Sequence, residues 1–183
     1  AKIITEGTIN ADNVTTITGL ASDINIAYAS TYASNGISKT NLGNETVILS
    51  DLTVKASDLN DLDFNNTGGT INADSVTTIT GSAIDINNAY GSSGITGLGD
   101  ENITLDTPTV DAVHLNNLDN KTTGTIDANN VTTITGSAFE INNAYASNEI
   151  TGLGNEEITL DTPTVEASDL NILDNKTTGT IDA

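Results

Sequence analysis

Three short stretches of this sequence place oxygen-bearing side chains on a turn that starts with glycine. They are Gly43-Asn44-Glu45, Gly99-Asp100-Glu101-Asn102 and Gly154-Asn155-Glu156-Glu157. Carboxylate and amide oxygens are hard ligands, and Ca²⁺ takes six to eight of them. Asn44, Glu45, Asp100, Glu101, Asn155, Glu156 and Glu157 are therefore the candidate calcium ligands. The spacing is not that of an EF-hand, and the glycine-rich nonapeptide of calcium-loaded β-rolls is absent. Gly, Asn and Asp also suit tight corners with no metal at all, so turn chemistry stands beside calcium as a reading of the same residues. No other cofactor is indicated.

Other groups offer less. His114 is the single histidine and occupies the position that Asp58 and Asp169 hold in sister segments. A nucleophilic Ser or Thr needs a base and a group to orient that base, and one histidine cannot serve every repeat. Paired carboxylates work as acid and base only in a cleft that splits their pKa values. Gly94-Ile95-Thr96-Gly97-Leu98-Gly99 has the glycines of a phosphate loop, but no Lys follows and the surroundings are acidic. With no cysteine, thiolate metal sites, disulfides and Cys nucleophiles are excluded. The expectation is a protein that is not an enzyme.

Charge narrows the partners. Twenty-five acidic residues face five lysines and no arginine, a net charge of −20. Nucleic acid and anionic membrane are bound through Lys and Arg, so neither is expected as a partner. No segment approaches the ~20 apolar residues of a membrane span, and no signal-peptide pattern opens the chain.

The elements that must position these residues come in repeats. Gly-Thr-Ile recurs at Gly7, Gly69, Gly124 and Gly179, at spacings of 62, 55 and 55, and residues 69–123 match 124–178 at 41 of 55 positions. The chain divides into 1–6 (the end of a preceding unit or a linker), repeats over 7–68, 69–123 and 124–178, and 179–183 as the start of another repeat or an inter-protomer strand. The first repeat is longer, with an insertion near 30–39 that is expected to bulge as a loop. Each repeat has two related halves, marked by helix-like segments beginning at Ala21, Ala56, Ala83, Ala112, Ala138 and Ala167. A unit of about 27 residues is too small to bury a core alone and is the size of one solenoid coil.

Within a half, Val131-Thr132-Thr133-Ile134-Thr135 is a β-branched run that predicts a strand. Thr125–Ala128 is a short extended segment. Ala138, Ile141, Ala144 and Tyr145 fall on one face of a short helix, with Ser137 and Glu140 spaced as a capping box. The second half repeats the plan with Ile158–Asp161, Thr164-Val165 and a helix over 167–174. The fold class expected is mainly β with short helices: a β-solenoid of about 27-residue coils, each strand paired with its equivalent in the next coil. The stacking ladder is Ile126, Val131, Ile134, Ile141, Ile158, Leu160, Val165, Leu170 and Leu173. A string of small α+β beads is the alternative.

Ala56-Ser57-Asp58-Leu59-Asn60-Asp61-Leu62-Asp63 and Ala167-Ser168-Asp169-Leu170-Asn171-Ile172-Leu173-Asp174 resemble the Ala-Ser-Glu/Asp-Leu-Asn-x-Leu-Asp units of phage tail-fibre proteins. The wider frame, Gly-Thr-Ile-Asp-Ala, Val-Thr-Thr-Ile-Thr-Gly, Asn-Ala-Tyr and Ile-Thr-Gly-Leu-Gly-Asn-Glu, resembles tandem repeats of very large secreted or cell-surface proteins of cyanobacteria and other aquatic bacteria. The resemblance implies an extracellular structural or adhesive role and carries over no catalytic residue. The function expected is a surface filament, matrix fibre or adhesin stalk, with other copies of itself as head-to-tail partners. The alternative is a tail-fibre or adhesin module recognising a glycan or cell surface.

Overall fold

A computed structural model describes residues 11–29 and 42–183. The expectations for 1–10, including Gly7, and for the insertion near 30–39 lie outside the described residues. Six helices alternate with strand groups: α1 (Ala21–Ala29), α2 (Ala56–Asn65), α3 (Ala83–Gly91), α4 (Ala112–Asp119), α5 (Ala138–Ala146) and α6 (Ala167–Asp174). Between them run β1 (Thr16–Gly19), β2 (Thr46–Leu49), β3 (Thr53–Lys55), β4 (Ile71–Asn72), β5 (Thr78–Gly81), β6 (Ile95–Thr96) and β7 (Asn102–Leu105). β8 (Thr109–Asp111), β9 (Ile126–Asp127), β10 (Thr133–Gly136), β11 (Ile150–Thr151), β12 (Glu157–Leu160) and β13 (Ile181–Asp182) complete them.

The molecule is mixed α/β, not mainly β. Helical residues outnumber strand residues because local side chains cap the helices and cut the strands short. Ser82 and Ser137 accept from the backbone N–H of Asp85 and Glu140, three residues on, and Glu140 reaches back to Ser137 to complete the expected capping box. Asp111 caps α4 through the N–H of Val113. Conversely, Asn72 and Asp127 accept from the N–H two residues ahead. These Asx turns end β4 and β9 after two residues.

All pairing is parallel and falls into three sheets, ordered β1-β2-β4-β6, β3-β5-β7-β9-β11 and β8-β10-β12-β13. The middle sheet takes strands from all three repeats, so independent beads are not formed. Where one repeat follows another, strands pair with their equivalents in the next coil as expected, Val110 beside Ile134 and Ile103 beside Ile126. Within a repeat the pairing slips by one strand position, so that Ile79 sits beside Ile103 and Ile134 beside Ile158, not beside Val110 and Val165. One turn of the chain takes about 24 residues, as in Ile71↔Ile95 and Ile134↔Ile158. Two turns leave part of a 55-residue repeat unspent, and the surplus is a whole strand position. In repeat 2 the first half supplies two strands, β4 and β5, and the second half three, β6, β7 and β8, so each sheet runs on a diagonal and a new one starts one repeat later.

Width explains the diagonal. Adjacent strands lie about 4.8 Å apart, whereas packed helices need 8–10 Å. Consecutive helices nevertheless pack on one another from α1 through α6, so their row must wind sideways over the strands. The core is one apolar cluster of Ile, Val, Leu and Ala drawn from strands and helices alike. From the expected ladder, Ile126, Val131, Ile134, Ile141, Ile158 and Leu173 are buried, while Leu160, Val165 and Leu170 are half-covered. Among the described residues no helix is long and apolar enough to cross a membrane.

Candidate functional site

The three turns singled out for calcium fold alike, but their carboxylates point inward. Glu45, Glu101 and Glu156 are buried, whereas Asn44, Asp100, Asn155 and Glu157 are exposed. The geometry follows from alternation: the residue after Asn44, Asp100 or Asn155 falls on the core side of the strand that begins there. Each buried carboxylate meets hydrogen-bond donors. Glu45 accepts from the N–H of Gly43 at 2.8 Å and of Asn44 at 3.1 Å. Glu101 accepts from Gly99 at 2.9 Å, and Glu156 from Gly154 at 2.8 Å and Asn155 at 3.2 Å.

A tyrosine from the end of the preceding first-half helix closes each corner. The hydroxyls of Tyr28, Tyr90 and Tyr145 donate to Glu45, Glu101 and Glu156 at 3.0, 2.8 and 2.7 Å. Burial, and then the facing carboxylate, pushes all three phenols well above their ordinary value of 10.0. From the other side, Thr122 and Thr177 donate their hydroxyls to the main-chain carbonyls of Glu101 and Glu156, and Asn66 donates its amide to that of Glu45.

The glycine that opens each repeat is explained here. A Cβ on Gly69, Gly124 or Gly179 would collide with the carbonyl oxygen of Glu45, Glu101 or Glu156. The corner is thus one carboxylate held by a helix end, a glycine turn and the start of the next repeat.

A pocket of N–H and O–H donors stabilises an anion; a cation needs oxygens. Each buried glutamate is engaged through Oε2, while Oε1 of Glu101 is buried without a partner, and Asn44, Asp100, Asn155 and Glu157 are exposed. Among the described residues no group of three or more His, Cys, Asp or Glu is placed to hold a metal ion. In the structure the three glutamates act as the internal acceptors of the corners. The sequence carried a signal for the tyrosine: Tyr90 precedes Glu101, and Tyr145 precedes Glu156, by the same 11 residues.

A second recurring device joins the helices. The fifth residue of each is asparagine, and its amide donates to the main-chain carbonyl of the third residue of the next helix. Asn25 reaches Asp58, Asn60 reaches Asp85 and Asn87 reaches His114 at 2.9–3.0 Å. Asn116 reaches Glu140 at 2.9 Å and Asn142 reaches Asp169 at 3.3 Å. His114 serves this ladder through its backbone. Its side chain lines a shallow groove with Ser82, Ile84, Thr109 and Asp111, and the same groove recurs 55 residues on with Ser137, Phe139, Thr164, Glu166 and Asp169. Asp replaces His there, so no chemistry specific to imidazole repeats. No protein-family model matches the chain, and no curated protein or solved structure was found to be similar to it.

Proposed function

We propose that this chain is a stretch of an extracellular structural repeat protein, folded as a solenoid-like stack of half-repeats in a surface filament, matrix fibre or adhesin stalk. The observation that carries the reading is the diagonal middle sheet, which ties all three repeats into one body through strands of different type. Its recurring polar devices, the Tyr–Glu corner and the Asn ladder, are spent on joining one half-repeat to the next. A surface of net charge −20 stays hydrated and repels its own kind at low salt. The extracellular setting rests on the sequence resemblance alone.

The test is to vary the number of repeats. Inserting a second copy of 69–123 should lengthen the particle by about 10 Å along the strand-stacking direction, two strand spacings, with its cross-section unchanged in small-angle scattering. Growth in cross-section, or a separate unfolding transition for the added unit, would overturn the reading.

A further inference from the structure

The junction between repeats 1 and 2 differs in kind from the junction between repeats 2 and 3, and the difference is gathered at the carboxyl ends of α2 and α3. Two cavities there, of about 570 and 490 Å³, share Asp63, Gly91 and Ser92 and form one open trough. Phe64 and Asn88 line one end of it, and Asn66 lines the other. Phe64 is 80% exposed, more than any other large apolar side chain among the described residues.

At the later junction the same positions are occupied differently. Asn120 stands in place of Phe64, Thr122 in place of Asn66, and Ala146, Asn148 and Glu149 in place of Gly91, Ser93 and Gly94. The polar groups there satisfy one another. Ser147 donates its hydroxyl to Asp119 at 2.7 Å, and Thr122 donates to the carbonyl of Glu101 while accepting from the N–H of Gly124. At the earlier junction Ser92 accepts from the N–H of Gly94, and Asp63 lines the trough. A Cβ at Gly94 would collide with the Asp63 carboxylate, so glycine is required there. Asn66 is 3% exposed; its amide donates to the carbonyl of Glu45, and its Oδ1 has no donor. A buried acceptor left unpaired is costly, and it marks a place where water or a ligand supplies the donor.

We propose that this trough is a binding site for a neutral sugar of about one or two rings, the size that a cavity of these dimensions takes. The C–H face of a sugar ring laid on Phe64 removes apolar area of both from water. Asp63, Asn88 and Ser92 meet its hydroxyls, and a hydroxyl reaches Asn66 Oδ1 directly or through a water. Hydroxyls both donate and accept, as carboxamides do. An ammonium ligand only donates and would leave the Asn88 amide N–H groups unmatched. Calcium would gain nothing from Phe64 and needs six to eight oxygens. The lining carries the carboxylates of Asp63 and Asp85 and no cation, so a sugar bearing carboxylate or sulfate is repelled. The site adds a point of recognition to the spacer and does not depend on the spacer reading.

Magnetic resonance of the isotope-labelled chain, titrated with maltose, cellobiose, lactose and mannobiose, tests the site. The side-chain amides of Asn66 and Asn88 and the N–H groups of Ser92 and Gly94 should shift saturably with at least one of these sugars. Asn120, Thr122 and Ser147 should not respond. Phe64→Asn, which installs the residue of the later junction, should weaken binding several-fold with the melting temperature unchanged, because Phe64 is already solvated. Asp63→Asn should weaken it as well. Absence of a saturable shift with every one of these sugars overturns the proposal, and so do equal shifts at both junctions. A response of the same resonances to calcium chloride or tetramethylammonium chloride that matches the response to sugar also overturns it. The growth of the particle with added repeats is untouched by any of these outcomes, so the two readings fail separately.

Discussion

At the scale of single residues, three buried carboxylates decide how the turns behave. Replacing Glu101 by Ala leaves Tyr90 and the Gly99 N–H without their acceptor. Hydrogen bonds to charged groups contribute about 1.5–3 kcal/mol, and each kcal/mol moves the midpoint of a chain this size by about 2–4 °C. A clear fall in the thermal midpoint of Glu101→Ala is expected, and Asp100→Ala, on the exposed neighbour, should leave it nearly unchanged. Chelator should shift neither if the turns are corners alone; a calcium-dependent rise in melting temperature would instead favour the metal reading of the same residues.

The tyrosines add an alkaline limit. Their folded hydroxyls titrate above the unfolded value of 10.0, so above that pH the unfolded chain holds fewer protons than the folded one. The stability they contribute is intact below pH 10 and falls as pH rises further. Denaturant melts across that range, with phenolate absorbance followed in parallel, should show the decline, and a Tyr90→Phe, Tyr145→Phe double variant should flatten it.

At the scale of elements, helices of eight to ten residues are too short to persist alone and are fixed by their ends and neighbours. Ser137→Ala removes a complete capping box and is expected to cost about 1 kcal/mol. Asn116→Ala removes one rung between α4 and α5 and should cost about 1 kcal/mol, whereas Asn117→Ala, one residue away and solvent-facing, should fall within about 0.5 kcal/mol of the parent. Urea titrations of the three variants give the comparison directly.

This is also the scale at which the sequence was most and least legible. Ala138, Ile141 and Ala144 announced the helix by their spacing, and Ser137 and Glu140 announced its start. The expected strand at Val131–Thr135 begins two residues later, at Thr133, because Val131 donates its N–H back to Ala128 in a turn while its side chain enters the core. Pairing partners were legible between repeats but not within one. From Ala56 on, the helix segments recur at about 28 residues and the paired strands at about 24, and the difference in width between helix and strand reconciles them. The glutamates were recognised as special by position, but alternation along the strand, not ligand chemistry, settles which way they face.

At the scale of the whole molecule, the repeats form one body in which the same contacts recur every 55 residues. Strands meet their equivalents only where one repeat follows another, and every sheet is built in the same order of strand types, each one repeat later than the last. Removing residues 69–123 should therefore leave a folded chain: Val47 and Val54 would then lie beside Ile126 and Ile134 as they now lie beside Ile71 and Ile79. Removing about half as much, 69–95, should not, because it brings the wrong strand type against β2 and β3. Circular dichroism and a cooperative melt for the longer deletion, with neither for the shorter, is the expected result.

The diagonal sheets thereby make length a matter of counting. Two near-identical segments of a gene can misalign during copying and gain or lose one whole segment, and each such product still finds every neighbour in place. Slips by half a segment yield chains that cannot close their sheets. A protein of this design can be shortened or extended in quantised steps of 55 residues without redesigning a single contact.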